Sequence, residues 1–169
     1  MEYEIVRMEA AHVPQIAALE RSAFPDPWSE SSVASELDNP LSLWLVAQAG
    51  GEVLGYVGSQ SVMGEADMMN LAVLPAARRR GIARALVTAL IRELAGGGVH
   101  SLTLEVRASN GPAKALYGSL GFVRTPSRNP RTIRAGIPTA AQKRDTIRIP
   151  ACANYSARAG SPTSTAHGR

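Results

Sequence analysis

Asn70-Leu-Ala-Val-Leu-Pro-Ala-Ala-Arg-Arg-Arg-Gly-Ile-Ala-Arg-Ala85 changes backbone periodicity midway, and that change decides the fold. The apolar run Leu71 to Leu74 stops at Pro75, which has no backbone donor and cannot extend a central strand. From Ile82 onward the apolar positions recur as Ile82, Leu86, Leu90 and Leu94, flanked by Ala83, Val87 and Ile91. This is the spacing of one helix face. A strand, a short arginine-rich loop and a helix opening at Gly81 are expected. A helix start carries backbone N–H groups without internal partners and a partial positive charge, so anions bind there. Gly81 lacks a Cβ and Ala83 has only a methyl, while Arg78, Arg79, Arg80 and Arg84 add cations, so the loop suits a diphosphate.

Working outward from this turn, the residues before it read as a first strand at Tyr3–Met8 and a helix from Ala10 to Phe24, with apolar spacing at Val13, Ile16, Ala17 and Leu19. Pro25 and Pro27 force an extended turn, and Ser29 followed by Glu30 caps a short helix reaching Leu37. Leu43–Ala47 and Val53–Val62 read as strands joined by the hairpin turn Ala49-Gly-Gly-Glu52, and Met68–Leu74 as a fourth strand. After the long helix ends at Gly96-Gly-Gly98, a fifth strand covers Ser101–Val106 and a helix covers Ala113–Leu120. The order predicts a mixed α/β (α+β) fold, a mostly antiparallel sheet flanked by helices with one right-handed strand–helix–strand crossover. Ligands of such sheets bind beyond the carboxyl ends of the parallel strands, which puts the Arg79–Arg84 turn at one end of a cleft walled by the strands ending near Val73 and Val106.

The 169 residues have room for one ordinary domain, and 45% apolar with 19% charged content is that of a soluble globular chain. With no apolar run of membrane-spanning length and an acidic start at Met1-Glu-Tyr-Glu4, a cytoplasmic protein without membrane contact is expected. The single cysteine, Cys152, cannot form an internal disulfide, and no Cys/His cluster is spaced for a metal. His12, His100 and His167 show no partner pattern and receive no catalytic role. The formal charge of +4 hides a division: residues 1–123 carry nine Lys and Arg against thirteen acids, and residues 124–169 carry nine Lys and Arg against Asp145 alone.

A second constellation lies at Leu104-Glu-Val-Arg-Ala-Ser-Asn110 and Ala115-Leu-Tyr-Gly-Ser-Leu-Gly-Phe122. Together with Arg78-Arg-Arg-Gly-Ile-Ala83 and Phe24-Pro-Asp-Pro-Trp-Ser29, it resembles the GCN5-related N-acetyltransferase superfamily, in its ribosomal-protein-alanine N-acetyltransferase branch. The resemblance covers Ile5 to Val123, with an Asp-Pro inserted before Trp28. It implies an acetyl-CoA-dependent acyltransferase, with acetyl-CoA as co-substrate and the N-terminal α-amine of a protein, an N-terminal alanine of a ribosomal protein, as acceptor. By the same resemblance, Leu71, Ala72 and Val73 pair with the pantetheine arm, the amides of Arg79, Arg80, Gly81, Ile82, Ala83 and Arg84 hold the pyrophosphate, and Asn110 hydrogen-bonds the cofactor. Glu105 matches the general base and Tyr117 the general acid.

The chemistry of these residues suits those roles. An α-amine has a pKa of about 7.7 to 8.0 and is mostly charged at neutral pH, so a carboxylate at the cleft mouth can take its proton. Strand alternation puts Glu105 on one face and Leu104 and Val106 on the other. A backbone N–H near Val73, at an expected bulge, would stabilise the oxyanion, and a phenol such as Tyr117 can protonate the departing thiolate.

The family's helix ending in Leu-Gly-Phe is followed by two strands and a Tyr-rich turn, whereas here Arg124 opens an atypical basic tail rich in Pro, Ser and Thr. Residues 1–123 are read as the catalytic core and 124–169 as the tail, with one weak strand at 144–149 and disorder from Pro150. Two other functions fit the residues. One is acetylation of a small amine such as an antibiotic or polyamine; the other is a non-catalytic CoA-binding protein whose basic tail engages RNA or ribosomes, the one route by which nucleic acid is expected.

Overall fold

The computed structural model describes residues 2–107, 109–124 and 144–150. Seven strands form one sheet: β1 (Glu4–Arg7), β2 (Ser42–Ala49), β3 (Glu52–Val62), β4 (Glu65–Val73), β5 (Ser101–Arg107), β6 (Val123–Arg124) and β7 (Arg144–Pro150). Their order across the sheet is β1-β2-β3-β4-β5-β7-β6. Every neighbouring pair is antiparallel except β4 and β5, which the crossover helix forces to run parallel. The helices among the described residues are α1 (Val13–Ala23), α2 (Glu30–Ser35), α3 (Ile82–Gly96) and α4 (Gly111–Ser119), with 3-10 turns at Ala10–His12 and Pro75–Ala77. Ser29 caps α2 as expected, its hydroxyl accepting from the Ser32 amide at 3.1 Å.

Two apolar clusters sandwich the sheet. On one side Leu86, Leu90 and Ile91 of α3 bury against Leu45 and Val57, and β5 contributes Leu102 and Leu104 to the same cluster. On the other, Ile16 of α1 and Val33 of α2 pack with Trp44, Val46 and Tyr56. Burying each large aliphatic side chain contributes about 1.5–3 kcal/mol, so the sheet is clamped from both faces. The second cluster is more aromatic: Trp44 stacks on Tyr56 with ring centres 5.5 Å apart and planes 6° apart, and Trp28 tilts onto Trp44 at 5.5 Å. Gly58 makes the stack possible, because a Cβ there would lie 2.5 Å from the Trp44 ring.

The structure corrects three expectations. β4 starts at Glu65 instead of Met68, because β3 and β4 pair from Val62↔Glu65 onward and the turn is confined to Met63 and Gly64. His12 does have partners: its Nδ1 accepts from the Glu9 amide at 3.0 Å and its Nε2 meets Gln48 Oε1 at 2.9 Å, a structural role at the entry to α1. The irregularity in β4 falls at Met69, where the register shifts between Gly58↔Asn70 and Ser59↔Met68, four residues before Val73. The weak strand expected at 144–149 is β7, which pairs with β5 along its whole length from Arg107↔Arg144 to Ser101↔Pro150. The proposed disorder from Pro150 and residues 125–143 lie outside the described residues.

Candidate active site

The site originates in an interrupted pairing. β4 and β5 are partners from Glu65↔Ser101 to Met68↔Leu104, and there the pairing ends although β4 continues to Val73 and β5 to Arg107. The strands splay. The bulge at Met69 sits at this point and changes which way β4 faces. Before it, Ala66 and Met68 belong to the α3 cluster; after it, Ala72 belongs to the α1 cluster, and Leu71 and Val73 pack toward α3. Asn70, two residues before Ala72, consequently points to the α1 face, where its Nδ2 donates to Glu20 Oε1 at 2.7 Å.

Among the described residues, the main chain of β4 beyond the bulge has one edge without a strand partner. The Leu74 amide donates to the Leu54 carbonyl at 2.8 Å, so by antiparallel alternation Ala72 also turns its amide to β3. Leu71 and Val73 turn theirs toward the gap that β5 has left. An extended ligand can add to such an edge as a further strand would. Of the three β4 residues assigned to the pantetheine arm, Leu71 and Val73 present the free amides and Ala72, 7% exposed, is committed to β3 and the core.

At the end of β4 the chain rounds Pro75–Ala77 and enters α3 through a loop in which Arg79 and Gly81 both take positive φ, 64° and 79°. Gly81 is the N-cap of α3, and the first helical bond runs from the Ala85 amide to its carbonyl at 2.9 Å. The amides of Ile82, Ala83 and Arg84 therefore have no acceptor within the helix. Alternating handedness in the preceding loop turns successive amides into a concave nest that favours anions. A left-handed Arg79 costs about 1–3 kcal/mol, a strain characteristic of ligand-clamping loops. No protein atom lies within 4 Å of where a Gly81 Cβ would be, so the space in front of the nest is open. This cradle fits a diphosphate.

The arginines divide their work. Arg78 folds back to Val73, its Nε donating to the carbonyl at 3.1 Å, and Arg84 reaches α4, its Nη2 donating to Ser119 Oγ at 2.7 Å. Arg79 and Arg80 are exposed beside the nest. Arg84 thus contributes its amide and ties the starts of the cradle to α4. Asn110 is the N-cap of α4, its Oδ1 accepting from the Ala113 amide at 3.1 Å.

Glu105 and Tyr117 lie on opposite faces of the sheet. Leu104 and Val106 are buried in the α3 cluster, so Glu105 projects from the opposite face, exposed, one residue past the last β4–β5 pair. Tyr117 is buried among the α3-side residues with its ring 5.5 Å from Phe122. Burial pushes its phenol up to about 12. It keeps its proton across the neutral range.

One residue not singled out from sequence joins this set. Glu20 is completely buried in α1 and accepts three hydrogen bonds: from the Tyr56 hydroxyl, from Asn70 Nδ2 at 2.7 Å and from the Trp28 amide at 3.0 Å. Burial, with the Glu20 carboxylate beside it, pushes Tyr56 ionisation far above the ordinary phenol range, so Tyr56 donates. A signal was present: Val13, Ile16, Ala17 and position 20 form the i, i+3, i+4, i+7 stripe of α1, and a carboxylate occupies the last place.

Comparison with known proteins accords with this geometry. Residues 13–122 match the sequence model of the acetyltransferase (GNAT) family. The chain is 39% identical over 144 residues to the [ribosomal protein bS18]-alanine N-acetyltransferase of Escherichia coli, covering 85% of this chain and 93% of that one. It is 36% identical over 120 residues to the N-alpha-acetyltransferase RimI of Mycobacterium tuberculosis, covering 68% of this chain and 74% of that protein. The crystal structure of the ribosomal-protein-S18-alanine N-acetyltransferase from Escherichia coli superposes with a TM-score of 0.73 at 35% identity, over 88% of this chain and 94% of the other.

Proposed function

The chain belongs to the GNAT acetyltransferase family, in its ribosomal-protein-alanine branch, and from that premise we propose that it transfers acetyl from acetyl-CoA to the α-amine of an N-terminal alanine on a ribosomal protein. The observation that supports this acceptor above others is the 39% identity to the bS18-alanine enzyme across 93% of its length. With a ribosomal protein as acceptor, the proposed site of action is the cytoplasm.

In this reading the diphosphate of acetyl-CoA lies against the amides of Arg79 to Arg84, and the pantetheine arm runs along the free edge of Leu71 and Val73, with Asn110 at the mouth of α4 beside it. The arm carries the thioester into the splay from the α3 side. The acceptor enters from the α1 side, where Glu105 projects. Glu105 takes a proton from the α-ammonium, directly or through one water, and the neutral amine attacks the thioester carbonyl. Negative charge on the carbonyl oxygen meets an unpaired β4 amide; as the C–S bond breaks the departing thiolate receives the Tyr117 proton, the attacking nitrogen releases its second proton to solvent, and solvent reprotonates Tyr117. That proton is available because burial keeps the phenol neutral. Since Glu105 and Tyr117 work from opposite faces, the proton taken from the amine and the proton given to sulfur do not share a donor.

The test is direct. Purified protein with acetyl-CoA should acetylate a peptide beginning with alanine at its α-amine, read by mass spectrometry, and leave an N-terminally blocked peptide untouched. Turnover of polyamines or aminoglycosides in preference to the peptide would overturn the assignment of the acceptor.

A further inference from the structure

Beside Glu105, the α1 face of the splay carries a second polar group. Asn70 is half-buried, lies two residues past the last β4 residue paired with β5, and faces the side from which Glu105 projects. Its amide is planar with one donor end and one acceptor end. The donor end is spent on Glu20 Oε1, at 2.7 Å. The Asn70 amide also lies against the Tyr56 hydroxyl, and no hydrogen bond to its acceptor end, Oδ1, is made among the described residues.

Glu20 determines which end is which. Its carboxylate accepts only, and it is completely buried and fixed from three directions, by Tyr56, Asn70 and the Trp28 amide. A flipped Asn70 would set its carbonyl against that carboxylate, two acceptors in a buried site, which is strongly unfavourable. The carbonyl oxygen of Asn70 is thereby held away from Glu20. The same carboxylate anchors the backbone at Trp28, in the segment between α1 and α2 whose indole tilts onto Trp44.

Resting on the acetyl-transfer reading above, we propose that Asn70 is an acceptor-binding residue whose Oδ1 takes a hydrogen bond from the substrate's α-ammonium or first peptide N–H, and that Glu20 is the positioning residue that fixes its orientation. The chemistry required of the ligand is an N–H donor, cationic or amide, entering from the α1 face. Neutral loss of that bond weakens acceptor binding without touching the diphosphate cradle on the far side of the splay.

The test uses the full chain and an alanine-starting peptide, with steady-state constants measured for peptide and for acetyl-CoA. Asn70→Ala should raise the peptide KM about tenfold, as expected for losing one charge-assisted hydrogen bond, and lower kcat by less than about threefold. The acetyl-CoA KM should stay within about twofold of the parent. Glu20→Gln replaces one acceptor by a donor and permits Asn70 to flip, so it should raise the peptide KM by a similar factor. In the double variant the effects should not add, the peptide KM matching that of Asn70→Ala alone, because Glu20 acts through Asn70. An unchanged peptide KM in Asn70→Ala overturns the proposal, as does an equal rise in the acetyl-CoA KM, and this holds whether or not Glu20→Gln folds. Additive effects in the double variant overturn the role of Glu20. Failure of the parent to acetylate the peptide instead sinks the acetyl-transfer reading itself, so the two failures are separable.

Discussion

The two faces of the sheet are built from different chemistry. The α3 face is aliphatic and continuous, with Leu86, Leu90 and Ile91 against Leu102 and Leu104, and its polar feature is the main-chain nest where α3 begins. The α1 face is aromatic and charged, with Trp28, Trp44 and Tyr56 in contact and a buried carboxylate, Glu20, among them. Backbone amides suit a ligand whose recognised part is a diphosphate, since they add anion affinity without side-chain entropy. Side-chain carboxylates and amides suit a cationic amine. The strand β4 serves both faces because the bulge at Met69 reverses its facing at the point where β5 leaves it.

If the faces divide the reaction in this way, variants on each should have separable effects. The largest is expected on the α1 face: Glu105→Gln should lower kcat/KM by about 10²–10³ at neutral pH, the scale of losing a positioned base. Acetyl-CoA affinity by calorimetry should be unchanged. The deficit should shrink as the pH rises past about 8, where the α-amine arrives already neutral. A deficit independent of pH would break the assignment of Glu105 as base.

On the other face, Gly81→Glu should do the reverse. It forces a side chain onto a φ of 79° and puts an anion at the helix start, so acetyl-CoA should bind about 10- to 100-fold more weakly by calorimetry. Turnover at saturating acetyl-CoA should be affected less. Equal binding by parent and variant would mean that the cradle holds something else.

Tyr117→Phe should slow kcat by about tenfold while leaving both KM values near the parent's, an effect on the leaving thiolate alone. Because burial raises its phenol to about 12, the parent's kcat should show no alkaline fall attributable to this group until the pH nears that value. The same shift has a stability consequence with a definite sign. Above an unfolded phenol's pKa of about 10 the unfolded chain binds fewer protons at this site than the folded one, so the contribution of Tyr117 falls as pH rises from there toward 12.

The smallest effect on turnover, and a clear one on stability, belongs to Gly58→Ala. The added methyl would lie 2.5 Å from a Trp44 ring that is 3% exposed and stacked on Tyr56, so it has nowhere to move. A loss of about 1–3 kcal/mol is expected in urea unfolding, with kcat of the folded fraction near the parent's. No change in the midpoint would show that the aromatic side of the sheet is looser than the aliphatic one.

Particular elements show why some of this was legible from the residues. The switch from Leu71–Leu74 to the Ile82, Leu86, Leu90 spacing marks β4, its loop and α3, because a change of period from two to 3.6 is local and needs no knowledge of neighbours. The alternation around Glu105 placed that carboxylate opposite Leu104 and Val106 for the same reason. Asn110 caps α4 from just before Gly111 and Pro112, a local contact with the Ala113 amide. The bulge was expected near Val73 and lies at Met69, since it depends on how β3 and β4 match residue by residue, a relation between segments. Glu20 was missed although it stands in the apolar stripe of α1, because a lone carboxylate becomes a site only when Tyr56, Asn70 and Trp28 converge on it.

By itself the sequence determined the elements and the opening of α3 at Gly81, properties carried by residues close together in the chain, and it singled out Glu105 and Tyr117 as the proposed base and acid through the family resemblance. The tertiary structure alone decided where β4 parts from β5, which face Asn70 takes, and that β7 joins the sheet beside β5. The physical reason is range: periodicity and capping are set within a few residues, whereas register, splay and the partners of a buried carboxylate are set by distant segments, such as Tyr56 and Asn70, 36 and 50 positions from Glu20.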